Sequence, residues 1–215
     1  MKITVLIADD HKIMRDGLMS LLAQERDIDV IGQADNGRST VSLARKLEPD
    51  IVVMDVAMPD LNGVDATRKL QKLMPETYVL ALSAHSEGVY VKGMLEAGAR
   101  GYMVKDAASE ELLQAIRTIS RGRLYVSPSI TDTLVGDYLL RVQGKITAES
   151  DVLTVREREV LQLVSEGQSS AQIAKSLNLS DRTVDTHRKR IMDKLGIRSV
   201  AELTKYAIKA GITSL

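Results

Sequence analysis

The sequence contains no cysteine, tryptophan or phenylalanine, and its three histidines lie far apart, at positions 11, 85 and 187. The missing thiols exclude disulfide frameworks, thiolate nucleophiles and cysteine-based zinc sites, and the scattered histidines do not suit a multi-histidine metal site. No apolar run reaches the roughly 18 residues that are needed to span a bilayer. The N-terminal apolar stretch meets Asp9 and Asp10 and is too short for a signal peptide. We therefore expect a cytoplasmic protein with no membrane partner.

The length of 215 residues and the hydrophobic content of 44% are sufficient for one large domain or two small ones. The net charge is zero, but the charges are unevenly distributed. Residues 1–122 contain 15 basic and 18 acidic residues, whereas residues 151–215 contain 11 basic and 8 acidic residues. Opposite signs at the two ends indicate two modules with different partners.

Short runs rich in β-branched residues alternate with segments of helical spacing through the first 122 residues. The runs are almost continuously apolar, which is typical of strands that are covered on both faces in a parallel sheet. Right-handed crossovers would place helices on both faces. The pattern predicts a flavodoxin-like, doubly wound α/β domain with five parallel strands. The strands are expected at about 3–9, 28–34, 51–55, 78–83 and 101–105, and the helices at about 11–25, 36–48, 62–74, 87–98 and 109–120.

The alternation stops after residue 122. Residues 123–149 are predicted to form a linker that is partly helical and packs on one domain. In residues 150–215 the strand signal disappears, and the spacing predicts a second, all-α domain of four helices joined by tight turns. About three residues separate the second and third of these helices, which matches a helix-turn-helix. The expected capping residues are Thr154 with Glu157, Ser180, and Ser199 with Glu202.

Polar side chains of complementary chemistry fall at the ends of the predicted strands. Asp9 and Asp10 follow the first strand and Asp55 ends the third, which is expected to be its neighbour, so three carboxylates converge at the edge where such sheets bind ligands. Like charges this close repel unless a cation joins them, and oxygen ligands on rigid strand ends suit Mg²⁺. The hydroxyl of Ser83 and the cation of Lys105, at the ends of the fourth and fifth strands, suit a phosphoryl group that arrives on one carboxylate.

Other interpretations of these residues remain open. A single acid at a strand end is commonly the cap of the next helix, and His11 suits a surface position at a helix start. His85 is expected near the mouth of the pocket, where it would tune the access of water to an acyl phosphate. A flavin phosphate would be repelled by the acids in residues 9–12, and an aspartate phosphatase of the haloacid dehalogenase type needs a second acid that residues 55–57 lack. We therefore expect a protein that is not an enzyme.

The third predicted helix of the C-terminal module is strongly basic. Val184, Ile191 and Leu195 share one face, which is expected to pack into the module. The opposite face combines bases, hydroxyls and an acid, the groups that read base edges and phosphates of DNA. The alternatives are an ordinary solvated face or a module that binds protein. The residues expected to contact DNA are Arg182, Thr183, Asp185, Thr186, Arg188, Lys189, Arg190 and Lys194.

The N-terminal motifs resemble the receiver domain of bacterial two-component response regulators. These motifs are Asp9-Asp10, Asp55 followed by Met58-Pro59 and Gly63, Ser83-Ala84, and Lys105. The resemblance implies that Asp55 accepts a phosphoryl group from a sensor histidine kinase and that Ser83 and Lys105 bind its oxygens. Tyr102 would be an aromatic switch that rotates inward as Ser83 moves; without the resemblance it is a half-buried strand aromatic. The implied Mg²⁺ ligands are Asp10, Asp55 and the carbonyl of Ala57, with Asp9 contacting the ion directly or through water.

The C-terminal module contains four motifs: L-T-V-R-E-R-E-V-L at 153–161, G-x-S-x-x-x-I-A at 167–174, S-x-R-T-V-x-x-H at 180–187 and K-L-G at 194–196. Together they resemble the helix-turn-helix output domain of the LuxR/NarL (FixJ-like) family. The resemblance implies that the third helix reads the major groove of promoter DNA. It also implies a homodimer in the phosphorylated or DNA-bound form, with a contact through the fourth helix at about 199–211. The apolar face of that helix would be Val200, Leu203, Ala207 and Ile208, and the alternative is packing within the domain.

Overall fold

A computed structural model describes residues 2–106, 109–142 and 152–213. The chain forms two compact units, Met1–Lys145 and Ile146–Leu215. Across the residues that are described, no helix is both long enough and apolar enough to cross a membrane.

The N-terminal unit is built around a parallel six-stranded sheet in the order β2-β1-β3-β4-β5-β6. The chain passes from β1 outward to β2 and then returns to β3, so β1 and β3 are neighbours and their carboxyl ends lie side by side. This order confirms the predicted doubly wound, flavodoxin-like fold. The strands are β1 (Ile3–Ala8), β2 (Ile28–Ala34), β3 (Ile51–Asp55), β4 (Tyr78–Ser83), β5 (Gly101–Val104) and β6 (Tyr125–Val126).

Helices cover both faces of this sheet. Alternate residues of β1 show the division: Leu6 packs into a core with α2, α3 and α4, whereas Val5 and Ile7 pack into the opposite core with α1 and α5. Burial on both faces explains why the strand runs are continuously apolar, and β3 is buried throughout its length. The helices of this unit are α1 (Lys12–Leu22), α2 (Gly37–Leu47), α3 (Gly63–Leu73), α4 (Gly88–Glu96), α5 (Ser109–Ile119) and α6 (Pro128–Val142).

The sixth strand and α6 fall in the region that we expected to be a linker. Strand β6 pairs with β5 at Gly101 and Tyr102, and the amide of Ser127 donates to the Tyr102 carbonyl at 3.0 Å. Helix α6 packs against α4, and its Ile130 is fully buried. The sheet therefore has one strand more than the predicted five, although the extra strand is only two residues long. Residues 143–149 of the expected linker lie outside the described residues.

The C-terminal unit is helical, as predicted, and has a core of its own to which every helix contributes. Its helices are α7 (Val155–Ser165), α8 (Ser170–Leu177), α9 (Asp181–Leu195) and α10 (Val200–Lys209). Thr154 and Glu157 form the predicted capping box of α7, and Ser180 caps α9. Ser199 caps α10 as predicted, but Glu202 accepts from the amide of Arg198, one residue before that cap. A further capping box, Ser169 with Gln172, opens α8.

Candidate functional site

An acidic pocket, made of Asp9, Asp10, Asp55, Ser83 and Lys105, lies at the carboxyl ends of the central strands. Asp9 and Asp10 directly follow β1, Asp55 and Ser83 are the last residues of β3 and β4, and Lys105 directly follows β5. The side chains of Asp9, Asp55 and Ser83 are buried, whereas Asp10 is exposed. The strand order thus brings together all five residues that we predicted from their positions at strand ends.

Lys105 joins two of the carboxylates. Its Nζ lies 2.7 Å from Asp9 Oδ2 and donates to Asp55 Oδ2 at 2.9 Å. Burial opposes the charge on Lys105, but the interactions of its ammonium with the carboxylates of Asp9 and Asp55 outweigh burial and keep the pKa of the ammonium above its ordinary value. Burial also raises the pKa of the Asp55 carboxyl. The hydrogen bond and the charge of Lys105 lower this pKa, and the nearby charge of Asp9 raises it, so that burial and Asp9 together outweigh Lys105. In the acidic pocket the single ammonium of Lys105 therefore faces three carboxylates, those of Asp9, Asp10 and Asp55, so negative charge is in excess.

The carboxylates fit a divalent metal ion. One ligand atom each of Asp9, Asp10, His11 and Asp55 lies within 4.8 Å of the others. Asp9 Oδ2 is buried and accepts no well-oriented hydrogen bond from the described residues, although Lys105 is close to it. Hard carboxylate oxygens with one exposed member suit Mg²⁺, which retains several waters when it binds. Ala57, the fourth predicted ligand, is half-buried, and its amide donates to Asp55 Oδ1 at 3.4 Å.

Asp9 is not the cap of the following helix, which was the alternative for a strand-end acid, because the N-cap of α1 is His11 and α1 has no side-chain cap hydrogen bond. Asp9 Oδ1 instead accepts from the amide of His11 at 2.8 Å. The His11 side chain is 71% exposed, as expected of a surface residue, and its Nδ1 lies 2.9 Å from Asp10 Oδ1. His11 therefore lies beside the carboxylates, although the sequence analysis did not count it among the site residues. Its position directly after Asp9-Asp10 is the feature of the sequence that indicates this proximity.

Tyr102 is fully buried, so the alternative of a half-buried strand aromatic is wrong. Its hydroxyl donates to the carbonyl of His85 at 2.7 Å, and the amide of His85 donates to Ser83 Oγ at 3.0 Å. Burial is the main cause that raises the Tyr102 pKa to about 12, so the phenol stays protonated and can donate. The His85 ring stacks on Tyr90, with 4.3 Å between the ring centroids. Tyr102 is thus connected to Ser83 through the backbone of one residue, His85.

The basic helix α9 has the two faces that its sequence predicted. Val184 and Ile191 are buried in the C-terminal core, and Leu195 packs against it. Arg182 and Lys189 are exposed and share a stripe on the other side with Thr186, whose hydroxyl donates to the Arg182 carbonyl at 2.8 Å. Of the other residues expected to contact DNA, Asp185, Arg190 and Lys194 are exposed, whereas Thr183 and Arg188 are half-buried.

Several of these side chains already have partners within the C-terminal unit. Lys194 Nζ donates to the buried carboxylate of Glu157 at 2.7 Å, which leaves two of its three N–H groups for other acceptors. Asp185 and Arg188 both bind the hydroxyl of Ser170 on α8. Ser170 was not predicted as a site residue, because 15 positions separate it from Asp185 and only the packing of α8 on α9 brings the two together.

Helix α10 supplies less apolar surface than the sequence suggested. Leu203 and Ala207 are buried in the core of the C-terminal unit, where α10 packs against α7. Ile208 is half-buried, and Val200, at 42% exposed, is the member of the set that faces solvent. Packing within the domain, the alternative that we considered, therefore accounts for Leu203 and Ala207.

Two family models match the chain at the two units. The receiver domain of response regulators matches residues 5–117, and the luxR family of bacterial regulatory proteins matches residues 151–207. The chain belongs to the LuxR-type response regulators.

Relatives of this LuxR-type response regulator match along nearly its whole length. Transcriptional regulatory protein DegU of Brevibacillus brevis is 34% identical over 98% of this chain and 94% of DegU. Response regulator GacA of Pseudomonas viridiflava is 39% identical over 98% of this chain and 97% of GacA. A solved complex of the response regulator RcsB with DNA matches with a TM-score of 0.59 and 25% identity, over 98% of this chain and 99% of RcsB. The regulator is thus a two-component transcription regulator with a receiver and a DNA-binding domain of the LuxR type.

Proposed function

We propose that Asp55 is the phospho-acceptor of this regulator and that the acidic pocket binds Mg²⁺ through Asp9, Asp10, Asp55 and the carbonyl of Ala57. The observation that carries the proposal is the placement of Asp55, a buried carboxylate that is paired with Lys105 and adjoins two further carboxylates. A bound Mg²⁺ would supply the positive charge that offsets the repulsion among the carboxylates and the charge of an incoming phosphate.

Each residue of the pocket has its own role in the phosphoryl transfer. An Asp55 carboxylate oxygen attacks the phosphorus of a phosphohistidine on a sensor kinase; the new O–P bond forms as the P–N bond breaks, and the histidine nitrogen keeps the electron pair and takes up a proton from solvent. Lys105 leaves its ion pair to bind a phosphoryl oxygen, and the Ser83 hydroxyl donates to another. Tyr102 is bonded to Ser83 through the backbone of His85, so a movement of Ser83 moves Tyr102 and changes the receiver surface around it. The acyl phosphate adds about two negative charges, which is sufficient to bias a two-state element.

We also propose the division of labour along the chain. Residues 1–122 act as the receiver, and 150–215 bind promoter DNA as a homodimer. Residues 123–149 lead from one domain to the other, and their β6 and α6 pack on the N-terminal unit. In the DNA complex, Lys189 donates to guanine, Thr186 contacts a thymine methyl group, and Asp185 accepts from cytosine. From the same predicted set, Thr183, Arg188 and Lys194 contact backbone phosphates, whereas Arg182 and Arg190 lie on or beside the stripe that faces the groove. Exposure of the basic stripe on α9 supports this assignment.

The decisive experiment treats the full chain with a small acyl-phosphate donor and Mg²⁺ and measures its intact mass. We expect one added phosphoryl group on the wild type and none on Asp55→Asn, while Asp29→Asn, which changes an exposed acid of β2, behaves like the wild type.

The same preparations are then titrated with DNA at several salt concentrations. Phosphorylated wild type should bind more tightly than Asp55→Asn, and its affinity should fall steeply as salt is added. Phosphorylation of Asp55→Asn at the wild-type level would refute the assignment of the acceptor, and an absence of binding at low salt would favour a module that binds protein.

A further inference from the structure

A serine hydroxyl bridges two side chains of the basic helix. Ser170 Oγ, in the first turn of α8, donates to Asp185 Oδ1 at 2.7 Å and accepts from Arg188 Nη1 at 3.1 Å. A hydroxyl has a single hydrogen to donate, so its donor is committed to Asp185. The result is a directed chain of hydrogen bonds from Arg188 through Ser170 to Asp185, in which each bond polarises the next.

Without the hydroxyl, the two charged side chains would have a simpler arrangement. Asp185 and Arg188 are three positions apart on α9, which is the spacing at which an acid and a base pair directly on a helix surface. In the described range 152–213, however, no ion pair joins these two side chains, and Ser170 lies between them instead. The serine thus keeps the carboxylate and the guanidinium apart and fixes one oxygen of Asp185.

The arrangement matters because Asp185 is exposed beside the basic stripe of α9. An acid near DNA is repelled by phosphates, so it contributes to recognition only if its free oxygen points at a base that donates a hydrogen bond. With Oδ1 held by Ser170, Oδ2 is free to accept from such a donor. A carboxylate paired with Arg188 would lose that orientation.

We propose that Ser170 is a positioning residue for DNA readout: its hydroxyl orients Asp185 toward the amino group of a cytosine and thereby sets the preference for one base pair of the operator. This inference rests on the proposed function, since it requires α9 to face DNA. It predicts that a substitution of Ser170, which lies outside α9, changes the base preference at a single position of the DNA operator.

The test selects binding sites for the full chain, treated with phosphodonor and Mg²⁺, from a pool of randomised double-stranded DNA. We expect Asp185→Ala to lose a preference for C·G at one position by a factor on the order of tenfold, and Ser170→Ala to lose most of the same preference. Ser170→Thr, which keeps the hydroxyl, should retain it. Ser176→Ala, which changes an exposed serine of the same helix, is the matched control. The double variant Ser170→Ala/Asp185→Ala should equal Asp185→Ala alone, because the serine acts through the acid.

Each result bears on a different step. If Ser170→Ala keeps the wild-type preference, or weakens binding to all sequences equally, the positioning role is refuted while DNA binding stands. If the double variant loses preference at a position that Asp185→Ala leaves unchanged, Ser170 acts by another route and the inference fails. If the phosphorylated wild type selects no sites and binds no DNA at low salt, the proposed function itself fails, and the inference with it.

Discussion

At the scale of single residues, the position of Asp55 depends on the absence of a side chain at Gly63. The amide of Gly63 donates to the Val56 carbonyl at 2.8 Å, and a Cβ built on Gly63 would lie 2.1 Å from the backbone oxygen of Asp55. The neighbouring atoms are backbone and cannot move aside independently. The start of α3 is therefore packed directly against the end of β3, at the residue that we propose to be phosphorylated.

We expect Gly63→Ala to lower the free energy of unfolding by about 2–4 kcal/mol, because the clash forces α3 away from β3. The rate of phosphorylation should fall with it, since Asp55 moves relative to Lys105. Thermal melting by circular dichroism and intact-mass phosphorylation assays measure the two effects. Gly17→Ala is the matched control. Gly17 is inside α1, and apart from its chain neighbours and the backbone of its own helix no described atom lies within 4 Å of its Cβ position, so alanine should stabilise the helix by up to about 1 kcal/mol. Equal stability of the two variants would contradict this account of Gly63.

The site residues that sequence reasoning found are those whose position follows from topology. Asp9, Asp55 and Lys105 each lie at or directly after a strand end, and parallel strands bring their carboxyl ends to one edge whatever the details of packing. The Ser170–Asp185 contact has no such rule behind it, because it depends on the rotation of α8 against α9. The contact between Lys194 and Glu157 was not predicted either, because it depends on how α9 packs against α7.

At the scale of elements, the start of α7 is connected to the end of α9 through one carboxylate. Glu157 Oε2 accepts from the Thr154 amide at 2.8 Å, from the Thr154 hydroxyl at 3.0 Å and from Lys194 Nζ at 2.7 Å. Burial disfavours the charge on Glu157, but the hydrogen bonds from Lys194 and Thr154 outweigh it, so the pKa of this carboxyl lies below its ordinary value of 4.5. A carboxyl with a depressed pKa stabilises the folded unit above that ordinary value, and its contribution is lost as the pH falls through the lower, folded-state pKa.

We therefore expect Glu157→Gln to destabilise the C-terminal unit by about 1–2 kcal/mol at pH 7, because the charged hydrogen bond to Lys194 and part of the cap are lost. The difference from the wild type should shrink as the pH is lowered below 4.5, where the wild-type carboxyl also becomes neutral. Urea unfolding followed by circular dichroism between pH 3 and pH 7 measures this difference. Asp193→Asn, which changes an exposed acid of α9, should track the wild type at every pH. A Glu157→Gln difference that is independent of pH would show that the charge of this residue contributes nothing.

The elements differ in how well a sequence can predict them. The inner strands β1, β3, β4 and β5 have their own signal, since burial on both faces demands a continuous run of apolar residues such as 51–55. Strand β6 has only two residues, and it exists because Tyr125 and Val126 pair with Gly101 and Tyr102, a long-range contact with no local period. For α10, Leu203 and Ala207 of the predicted apolar face are buried, whereas Val200 is exposed and Ile208 half-buried. Periodicity alone does not say whether such a face packs inside the domain or against a second copy.

At the scale of the whole molecule, each unit has its own hydrophobic core. The N-terminal unit has one core on each face of the sheet, and the C-terminal unit has a single core among its helices. A chain of this kind is not expected to unfold in one two-state transition. A ligand or substitution that acts inside one unit should then shift the transition of that unit alone, which gives a way to locate the proposed metal site without measuring phosphorylation.

We expect Mg²⁺ to raise the melting temperature of the N-terminal unit by a few degrees at concentrations well above its dissociation constant, because binding to the folded state alone stabilises it by mass action. The transition of the C-terminal unit, identified as the one that Glu157→Gln lowers, should stay where it is. Differential scanning calorimetry of the full chain measures both, with sodium chloride at equal ionic strength as the control. Asp10→Asn removes an exposed carboxylate of the acidic pocket and should abolish most of the shift. The proposal would be wrong if Mg²⁺ raised the melting temperature of the C-terminal unit, or if it raised that of the N-terminal unit by as much in Asp10→Asn as in the wild type. Either result would show that the ion binds elsewhere and that the carboxylates of the acidic pocket are not its ligands.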